Sequence, residues 1–231
     1  MRCIALLLAS FLPFAGCTVA PDSPAPEYTF VQIKTGSHTP ATKEESQAVF
    51  GGHMANMQRL AREGALVMAG PYGQTKSDPA LRGVFVFASA DRAVVARWAE
   101  SDPGFQANVF RFEFATLATQ ADLRGQARAE LAREAAQEAA GRQPAPGDTI
   151  RPYVLLTAAN WAGAAAAFKG HAAALLVGRL EDGRAVVVLD AKDQTVASAL
   201  VAPLLGQLGT FTLDDWYASD LLVELPRRAV K

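Results

Sequence analysis

Apolar and polar positions alternate in four short stretches before residue 120, a pattern typical of β-strands with one buried face. β-Branched and aromatic residues fill these stretches, which favours strand over helix. The four predicted strands are Tyr28–Lys34, Leu66–Ala69, Val84–Ala88 and Phe110–Leu117.

Helical periodicity replaces this alternation between the first two strands. A helix is predicted from the capping box Thr42–Glu45, where each side chain can satisfy a free backbone amide, to Gly64. Its buried face is predicted to carry Phe50, Met57 and Leu60.

A second helix is predicted between the third and fourth strands. Ser89 is its expected cap, its apolar stripe holds Val94, Val95 and Trp98, and Asp102-Pro103-Gly104 is expected to close it. The order βαββαβ indicates an α+β, ferredoxin-like unit with both helices on one face of an antiparallel sheet. The other sheet face then requires a cover, such as a second sheet.

The same order of elements returns after residue 150. The second set of strands is predicted at Tyr153–Thr157, Ala173–Val177, Ala185–Leu189 and Leu221–Leu225, with a tight hairpin at Glu181–Arg184. Helices are predicted at Asn160–Gly170 and Gln194–Leu208, the latter kinked or ended by Pro203. We therefore expect two ferredoxin-like units, at 28–119 and 151–226, that form a pseudo-dimer within one chain.

Residues 120–150 differ from both units because large apolar side chains are scarce there. Asp122 to Ala140 is rich in Ala, Arg, Glu and Gln, which favours a solvated helix, and Pro144-Ala-Pro146-Gly then reads as a linker. A partner-binding helix is the alternative interpretation.

The N-terminus is typical of an export signal. A short apolar run follows Met1-Arg2 and is too short to span a bilayer. Phe14-Ala-Gly-Cys17 is similar to a bacterial lipobox, although Phe14 stands where Leu is usual. We expect a lipoprotein signal peptide at 1–17, lipidation of Cys17, an extended tether at 18–27 and a location in the bacterial cell envelope facing the periplasm. Ordinary cleavage near Ala20 is the alternative.

Composition narrows the possible functions. The formal net charge of the 231-residue chain is −1 and its Lys and Arg residues are scattered, so no nucleic-acid partner is predicted. Of the two cysteines, Cys3 lies in the segment to be removed and Cys17 is expected to be lipidated, which leaves no free thiol for catalysis. No spacing typical of a metal site or a serine nucleophile occurs, and no cofactor is predicted.

His53 and Asp102 are the candidate chemical groups. An imidazole titrates near neutral pH, and a carboxylate can fix its tautomer, so a His–Asp pair suits proton abstraction from carbon, water activation or elimination. Each residue also has an ordinary interpretation. His53 lies on the same helical stripe as Phe50 and Met57 and suits a core position, while Asp102 before Pro103 suits a helix-end turn.

Taken together, His53, Ala69-Gly70-Pro71 and Asp102-Pro103 resemble the motifs of the YCII-related family, over about Tyr28 to Ala118. The resemblance implies a ferredoxin-like fold, association as a dimeric α+β barrel and a His–Asp active site. One known role in the family is that of a dehydrochlorinase-type enzyme in chloroaromatic degradation. The leader and the second unit are departures from the usual member, so the substrate does not transfer.

The second unit lacks both site residues. Counting back from Gly178 by the His53–Gly70 separation gives Trp161, and His171 is expected at the surface. Asp214-Asp215-Trp216 is expected to form a capped turn where an Asp-Pro would stand, and cation binding by the two carboxylates is the alternative. We therefore expect one small-molecule site per chain.

At that site, His53 and Asp102 are the predicted catalytic pair of a cofactor-free lyase, isomerase or hydrolase. Tyr72, Arg82 and Trp98 are the predicted substrate-binding residues, chosen by position. The alternative is a non-catalytic, ligand-binding or structural envelope lipoprotein.

Overall fold

A computed structural model describes residues 25–142, 145 and 147–225 of the chain. The strands are β1 (Glu27–Thr35), β2 (Leu66–Pro71), β3 (Leu81–Phe87), β4 (Phe110–Thr119), β5 (Ile150–Ala158), β6 (Ala174–Leu180), β7 (Ala185–Leu189) and β8 (Phe211–Ser219). The helices are α1 (Lys43–Arg62), α2 (Arg92–Glu100), α3 (Pro103–Gln106), α4 (Leu123–Ala139), α5 (Trp161–Ala167), α6 (Gln194–Val201) and α7 (Leu205–Leu208), with 3-10 helices at Ala202–Leu204 and Asp220–Glu224.

These strands form one antiparallel sheet in the order β2-β3-β1-β4-β6-β7-β5-β8. The first half of the chain thus contributes its strands in the order β2-β3-β1-β4. The second half contributes the equivalent strands in the equivalent order, β6-β7-β5-β8. β4 joins β6 through the pairing of Leu117–Thr119 with Gly178–Leu180. The mixed α+β architecture is consistent with the dimeric α+β barrel type.

The two outermost strands of the sheet, β2 and β8, also meet. Tyr72 and Trp216 form an antiparallel bridge, and the Trp216 indole donates to the Gly70 carbonyl at 3.0 Å. Gly70 is required at this approach, because a Cβ atom there would lie 1.9 Å from the Tyr217 carbonyl oxygen. The sheet therefore curls round on itself.

Alternation along the strands divides the core into an inner and two outer clusters. The inner cluster lies inside the curled sheet and takes residues from both halves, among them Tyr28, Val84, Tyr153 and Trp216. One outer cluster packs the first four strands against α1 and α2, and the other packs the last four against α5 and α6.

Local sequence explains where the site-bearing helix begins and ends. The Thr42 hydroxyl accepts from the Glu45 amide at 3.1 Å, and the Glu45 carboxylate accepts from the Ala41 amide at 2.7 Å. Gly64 ends α1 with a φ of 72°, a conformation that glycine adopts without strain. The predictions of α1 and of strands β1 to β7 are confirmed, with some bounds shifted by several residues.

The eighth strand was predicted in the wrong place. Leu221–Leu225 lies in and just after a 3-10 helix, where Leu222 and Leu225 turn into the inner cluster, and Ser219 caps it by accepting from the Leu221 amide at 3.2 Å. The strand is instead β8, which contains Asp214-Asp215-Trp216, so the predicted turn is also wrong. The alternation of apolar and polar residues in β8 is hard to recognise, because Asp214 occupies the inward position two residues before Trp216.

Three smaller predictions also fail. Asp91, not Ser89, caps α2 by accepting from the amides of Ala93 and Val94. The first turns of α4 are buried rather than solvated, since Leu123 packs into the inner cluster. Phe50 is 59% exposed instead of lying in the core.

None of the helices in the described residues has the length and apolar character needed to cross a membrane. Cys17, the signal peptide at 1–17 and most of the tether lie outside the described residues, as do Pro144 and Pro146 of the linker.

Candidate functional site

His53 lies in the middle of α1 on the side that faces the sheet. Its ring stacks on Phe85 of β3, with centroids 5.6 Å apart, and meets the Phe110 ring edge-on at 5.0 Å. The residue is only 7% exposed. These contacts fix the plane of the imidazole against the outer cluster.

Asp102 is the N-cap of α3 and is 1% exposed. Its Oδ1 accepts from the backbone amides of Gly104 at 2.8 Å and Phe105 at 3.2 Å. Pro103 occupies the first helical position, where its missing amide costs nothing. The Asp-Pro turn thus starts a short helix and does not merely end α2.

The structure brings the two candidate residues together: His53 Nδ1 lies 2.7 Å from Asp102 Oδ2. Both oxygens of the buried carboxylate are therefore used, one by backbone amides and one by the imidazole. This arrangement satisfies a charge that would otherwise be costly to bury.

Two glycines allow the close packing behind this contact. A Cβ atom at Gly52 of α1 would lie 3.0 Å from Pro103 Cγ, so the glycine lets α1 approach α3. A Cβ atom at Gly104 would lie 2.3 Å from the Phe110 ring. The Gly-Gly-His and Asp-Pro-Gly motifs therefore have a steric basis.

The hydrogen bond determines which ring nitrogen is available. An ionised carboxylate only accepts, so Nδ1 carries the shared proton and the neutral ring keeps its lone pair on Nε2. No hydrogen-bond partner of Nε2 occurs in the described part of the chain. The His53 side chain keeps 9% of its surface exposed.

A polar network adjoins the pair, and no sequence motif predicts it. Asn56, one turn after His53, is buried, and its Oδ1 accepts from Arg59 at 2.8 Å and from the Ser101 hydroxyl at 3.1 Å. Ser101 immediately precedes Asp102, so this network ties α1 to the Asp102 turn. The Asn56 amide nitrogen is buried without a partner among the described residues.

The exposed surface next to His53 is apolar. Phe50 and Met54, one turn apart on α1, are 59% and 39% exposed, and the Phe50 ring centroid lies 6.3 Å from that of His53. Exposed large apolar side chains beside a polar group are common in ligand sites.

The three predicted substrate-binding residues do not gather round the pair. Tyr72 lies in the inner cluster, on the opposite side of the sheet from His53, and burial raises the pKa of its hydroxyl. The prediction that Tyr72 borders the pocket is wrong. A bulge in β2 puts both Val67 and Met68 on the inner face, and the alternation of side chains from Met68 onward then places Tyr72 on that face too.

Trp98 and Arg82 are also separate from the pair. Trp98 packs on Phe87, which contacts Phe85, so two aromatic rings lie between the indole and His53. The Arg82 side chain is exposed, and no hydrogen bond or ion pair links it to His53 or Asp102 in the described structure.

The second half offers no equivalent pair at the aligned positions. Trp161 is the first residue of α5 and packs on the outer cluster there. His171 follows the end of α5 and is partly exposed, with its ring 5.6 Å from that of Phe168. Within the described residues, no group of three or more His, Cys, Asp or Glu side chains has the geometry of a metal site.

Comparison with known families gives a match within the first half of the chain. The model of the YCII-related domain matches residues 31–113, slightly more than a third of the chain. Comparisons with curated proteins and with solved structures gave no match. The matched segment begins in β1, ends in β4 and includes both members of the hydrogen-bonded pair. Residues 31–113, with His53 and Asp102 among them, are thus a YCII-related domain.

Proposed function

We propose that the His53–Asp102 pair is a general acid–base centre that acts on a small organic compound without a cofactor. The observation that supports this most directly is the 2.7 Å hydrogen bond from His53 Nδ1 to a buried carboxylate, which leaves Nε2 without a partner among the described residues. Lyase, isomerase and hydrolase reactions can all use a side chain that takes up and returns a proton.

In such a reaction, Nε2 takes a proton from a carbon acid or from a water molecule. The imidazolium that forms keeps donating through Nδ1, and the Asp102 carboxylate stabilises its charge. Backbone amides hold the other carboxylate oxygen, so Asp102 stays in place as the charge on the ring changes. The proton then returns from Nε2 to the product or to the leaving group.

The surroundings favour a substrate with an apolar part. Phe50 and Met54 provide exposed apolar surface on α1 close to His53, and no ion pair of His53 other than that with Asp102 occurs in the described residues. We propose that the apolar portion of the substrate packs on these side chains while its acidic C–H, or the water molecule that attacks its carbonyl, meets Nε2.

A purely structural role is the second candidate, because both residues also serve the fold. Asp102 caps α3, and His53 fills a gap between Phe85 and Phe110. In that case the protein is a ligand-binding or structural protein, and the pair only holds α1 against α3.

The test is a reaction screen on the purified full chain. Ester and lactone hydrolysis, dehydrohalogenation and deuterium exchange at activated C–H groups cover the three reaction classes. We expect His53→Ala to lower the rate of an accepted probe by about 10²–10⁴-fold, the usual range for a general acid–base residue. His38→Ala is the matched control, since His38 is exposed and pairs with Glu45.

Equal turnover by His53→Ala and the wild type would contradict the catalytic proposal. If His53→Ala and His38→Ala differ only in stability and no probe is turned over, the structural candidate is favoured.

The architecture supports a related proposal, that the two halves are a pseudo-dimer of ferredoxin-like units at 28–119 and 151–226, joined by a helical linker at 120–150. The repeated strand order and the inner cluster shared by both halves support it. We also propose that the second unit is a degenerate copy that supports the first.

We further propose that the protein is a lipoprotein anchored through Cys17 to a membrane of the bacterial envelope, facing the periplasm. The apolar run before Phe14-Ala-Gly-Cys17 supports this. Mass spectrometry of the mature protein tests it: a diacylglyceryl group on Cys17 is expected, and an unmodified chain cleaved near Ala20 would contradict it.

A further inference from the structure

A cavity of about 320 Å³ opens inside the curled sheet, away from His53. It lies where β1 and β5 end and β3 and β8 begin, and both halves of the chain line it, for example through Gln32, Lys34, Thr157 and Asp214. At the other end of the sheet, Leu123 of α4 and Leu222 pack into the inner cluster with Tyr28. The volume is within the range of small-molecule sites.

Asp214 is the most unusual group in this cavity because its carboxylate is only 2% exposed. Its partners are neutral: it accepts from the Ser77 amide at 2.5 Å and from the Thr212 hydroxyl at 3.3 Å. No ion pair in the described residues includes Asp214. A buried carboxylate without a cation is costly, so a positive ligand would be favoured here.

The cations that line the cavity are already neutralised. Lys34 Nζ lies 3.3 Å from Asp78 and 3.0 Å from Glu113. Arg184 Nε donates to Asp182 at 2.7 Å. Both lining cations are thus engaged by carboxylates other than Asp214, and Lys76 Nζ, close to the cavity wall, donates to the Leu81 carbonyl at 2.7 Å.

The Asp214 carboxylate is directed into the sheet interior. It adds to the effect of burial in raising the pKa of Tyr72, whose hydroxyl accepts from Gln32 Nε2 at 3.4 Å. Gln32, Thr157 and Thr212 provide further polar side chains around the cavity. Such side chains suit the hydrogen-bonding groups of a small polar molecule.

We propose that this cavity binds a small organic amine, with the ammonium group paired to Asp214. An amine fits better than a divalent metal ion. Asp78 and Asp214 are the carboxylates among the described lining residues, Asp78 is already paired with Lys34, and metal sites in proteins recruit several oxygen or nitrogen ligands. The site is distinct from the His53–Asp102 pair and gives the second half of the chain a direct part in binding, since Asp214 belongs to β8.

Calorimetric titration of the full chain tests this with matched probes: ethanolamine, butylamine and benzylamine against ethylene glycol, butanol and benzyl alcohol. At least one amine is expected to bind, and its alcohol counterpart to bind ten times more weakly or worse. Asp214→Asn should weaken amine binding by about ten- to a hundredfold, the loss expected for one charge-assisted hydrogen bond.

Asp215→Asn is the matched control, because this neighbouring carboxylate does not line the cavity. Asp215→Asn and His53→Ala should both bind the amine as the wild type does. Equal affinity for amines and alcohols, no binding of any amine, or full binding by Asp214→Asn would each overturn the proposal. Displacement of the amine by calcium or magnesium would also overturn it in favour of an inorganic cation site.

If Asp214→Asn does not fold, amide chemical shifts of the wild type decide the question. The amides of Ser77 and Thr212 should then respond to the amine, while the amides around His53 should not. Absence of any response at Ser77 and Thr212 would reject the site.

Discussion

At the level of single side chains, the two carboxylate oxygens of Asp102 have different roles: one caps α3 and the other orients the His53 ring. Oδ1 accepts from backbone amides that start α3, whereas Oδ2 accepts from His53. An asparagine at this position could keep the first role and reverse the second, because its amide nitrogen would donate to Nδ1 and move the ring proton to Nε2.

Asp102→Ala and Asp102→Asn are therefore expected to differ. Asp102→Ala leaves buried amides unpaired and should lower the free energy of unfolding by about 1–3 kcal/mol. Asp102→Asn should cost less, yet nitrogen NMR of the His53 ring should report the opposite tautomer and any acid–base activity should fall. Urea unfolding and the NMR spectrum measure the two effects. Equal destabilisation by both variants would contradict the separation of roles.

The pair itself could be predicted from sequence, but its surroundings could not. His53 and Asp102 stand in short motifs whose glycines are recognisable, and Gly52 and Gly104 mark close approaches. The side of the sheet on which Tyr72 lies depends on a bulge in β2, which no local pattern revealed.

At the level of the helices, the contact between α1 and α3 depends on which of two adjacent glycines faces Pro103. No atom lies within 4 Å of a Cβ built at Gly51, while a Cβ at Gly52 meets Pro103 at 3.0 Å. The two positions are otherwise matched, since both lie in the interior of α1.

Gly51→Ala should raise the free energy of unfolding by about 0.5–1 kcal/mol, because alanine is the better helix former. Gly52→Ala should be less stable than Gly51→Ala by about 1 kcal/mol or more, since Pro103 and α3 must shift. Thermal and urea unfolding of the two variants make the comparison. Identical stability would show that α1 and α3 are not tightly packed at this point.

The α4 helix illustrates how composition misleads about burial. Its sequence is dominated by small and charged residues, yet Leu123 and Gln126 are fully buried and Glu130 is half-buried. Burial is the main cause that raises the pKa of Glu130, although a hydrogen bond from Gln126 opposes it. Because the pKa is higher in the folded than in the unfolded chain, ionised Glu130 destabilises the fold at neutral pH.

Glu130→Gln is therefore expected to stabilise the protein at pH 7 by about 0.5–1 kcal/mol. The gain should shrink as the pH falls through the carboxyl range, where the wild-type side chain takes up its proton. Unfolding curves at several pH values measure this, with Glu134→Gln at an exposed position as the control. A gain that does not depend on pH would argue against burial of the charge.

At the scale of the whole molecule, the order of the strands indicates the two-part architecture more clearly than any single motif does. The predicted order of elements was correct in both halves up to β7, because turns such as Glu181–Arg184 are encoded locally. The closure of the sheet was not predictable in detail. It depends on Trp216 and Gly70, residues 146 positions apart, and on an aspartate at an inward position of β8.

Closure of the sheet also predicts how half of the chain should behave alone. The inner cluster combines Tyr28, Val84 and Val86 from the first half with Tyr153 and Trp216 from the second. A fragment of residues 25–120 would keep its outer cluster under α1 and α2 but expose its inner sheet face and the free edges of β2 and β4. Both features drive association.

We expect this fragment to form a dimer in solution, with β4 of one copy pairing with β2 of the other as β4 pairs with β6 in the full chain. Sedimentation equilibrium and far-UV circular dichroism over a range of concentrations measure association and folding together. Aspartate in place of Val84, at the centre of the inner face, should abolish the dimer, while Phe50→Asp on the exposed surface of α1 should not. A folded monomeric fragment would contradict the pseudo-dimer, since the inner sheet face would then be stable without its second layer.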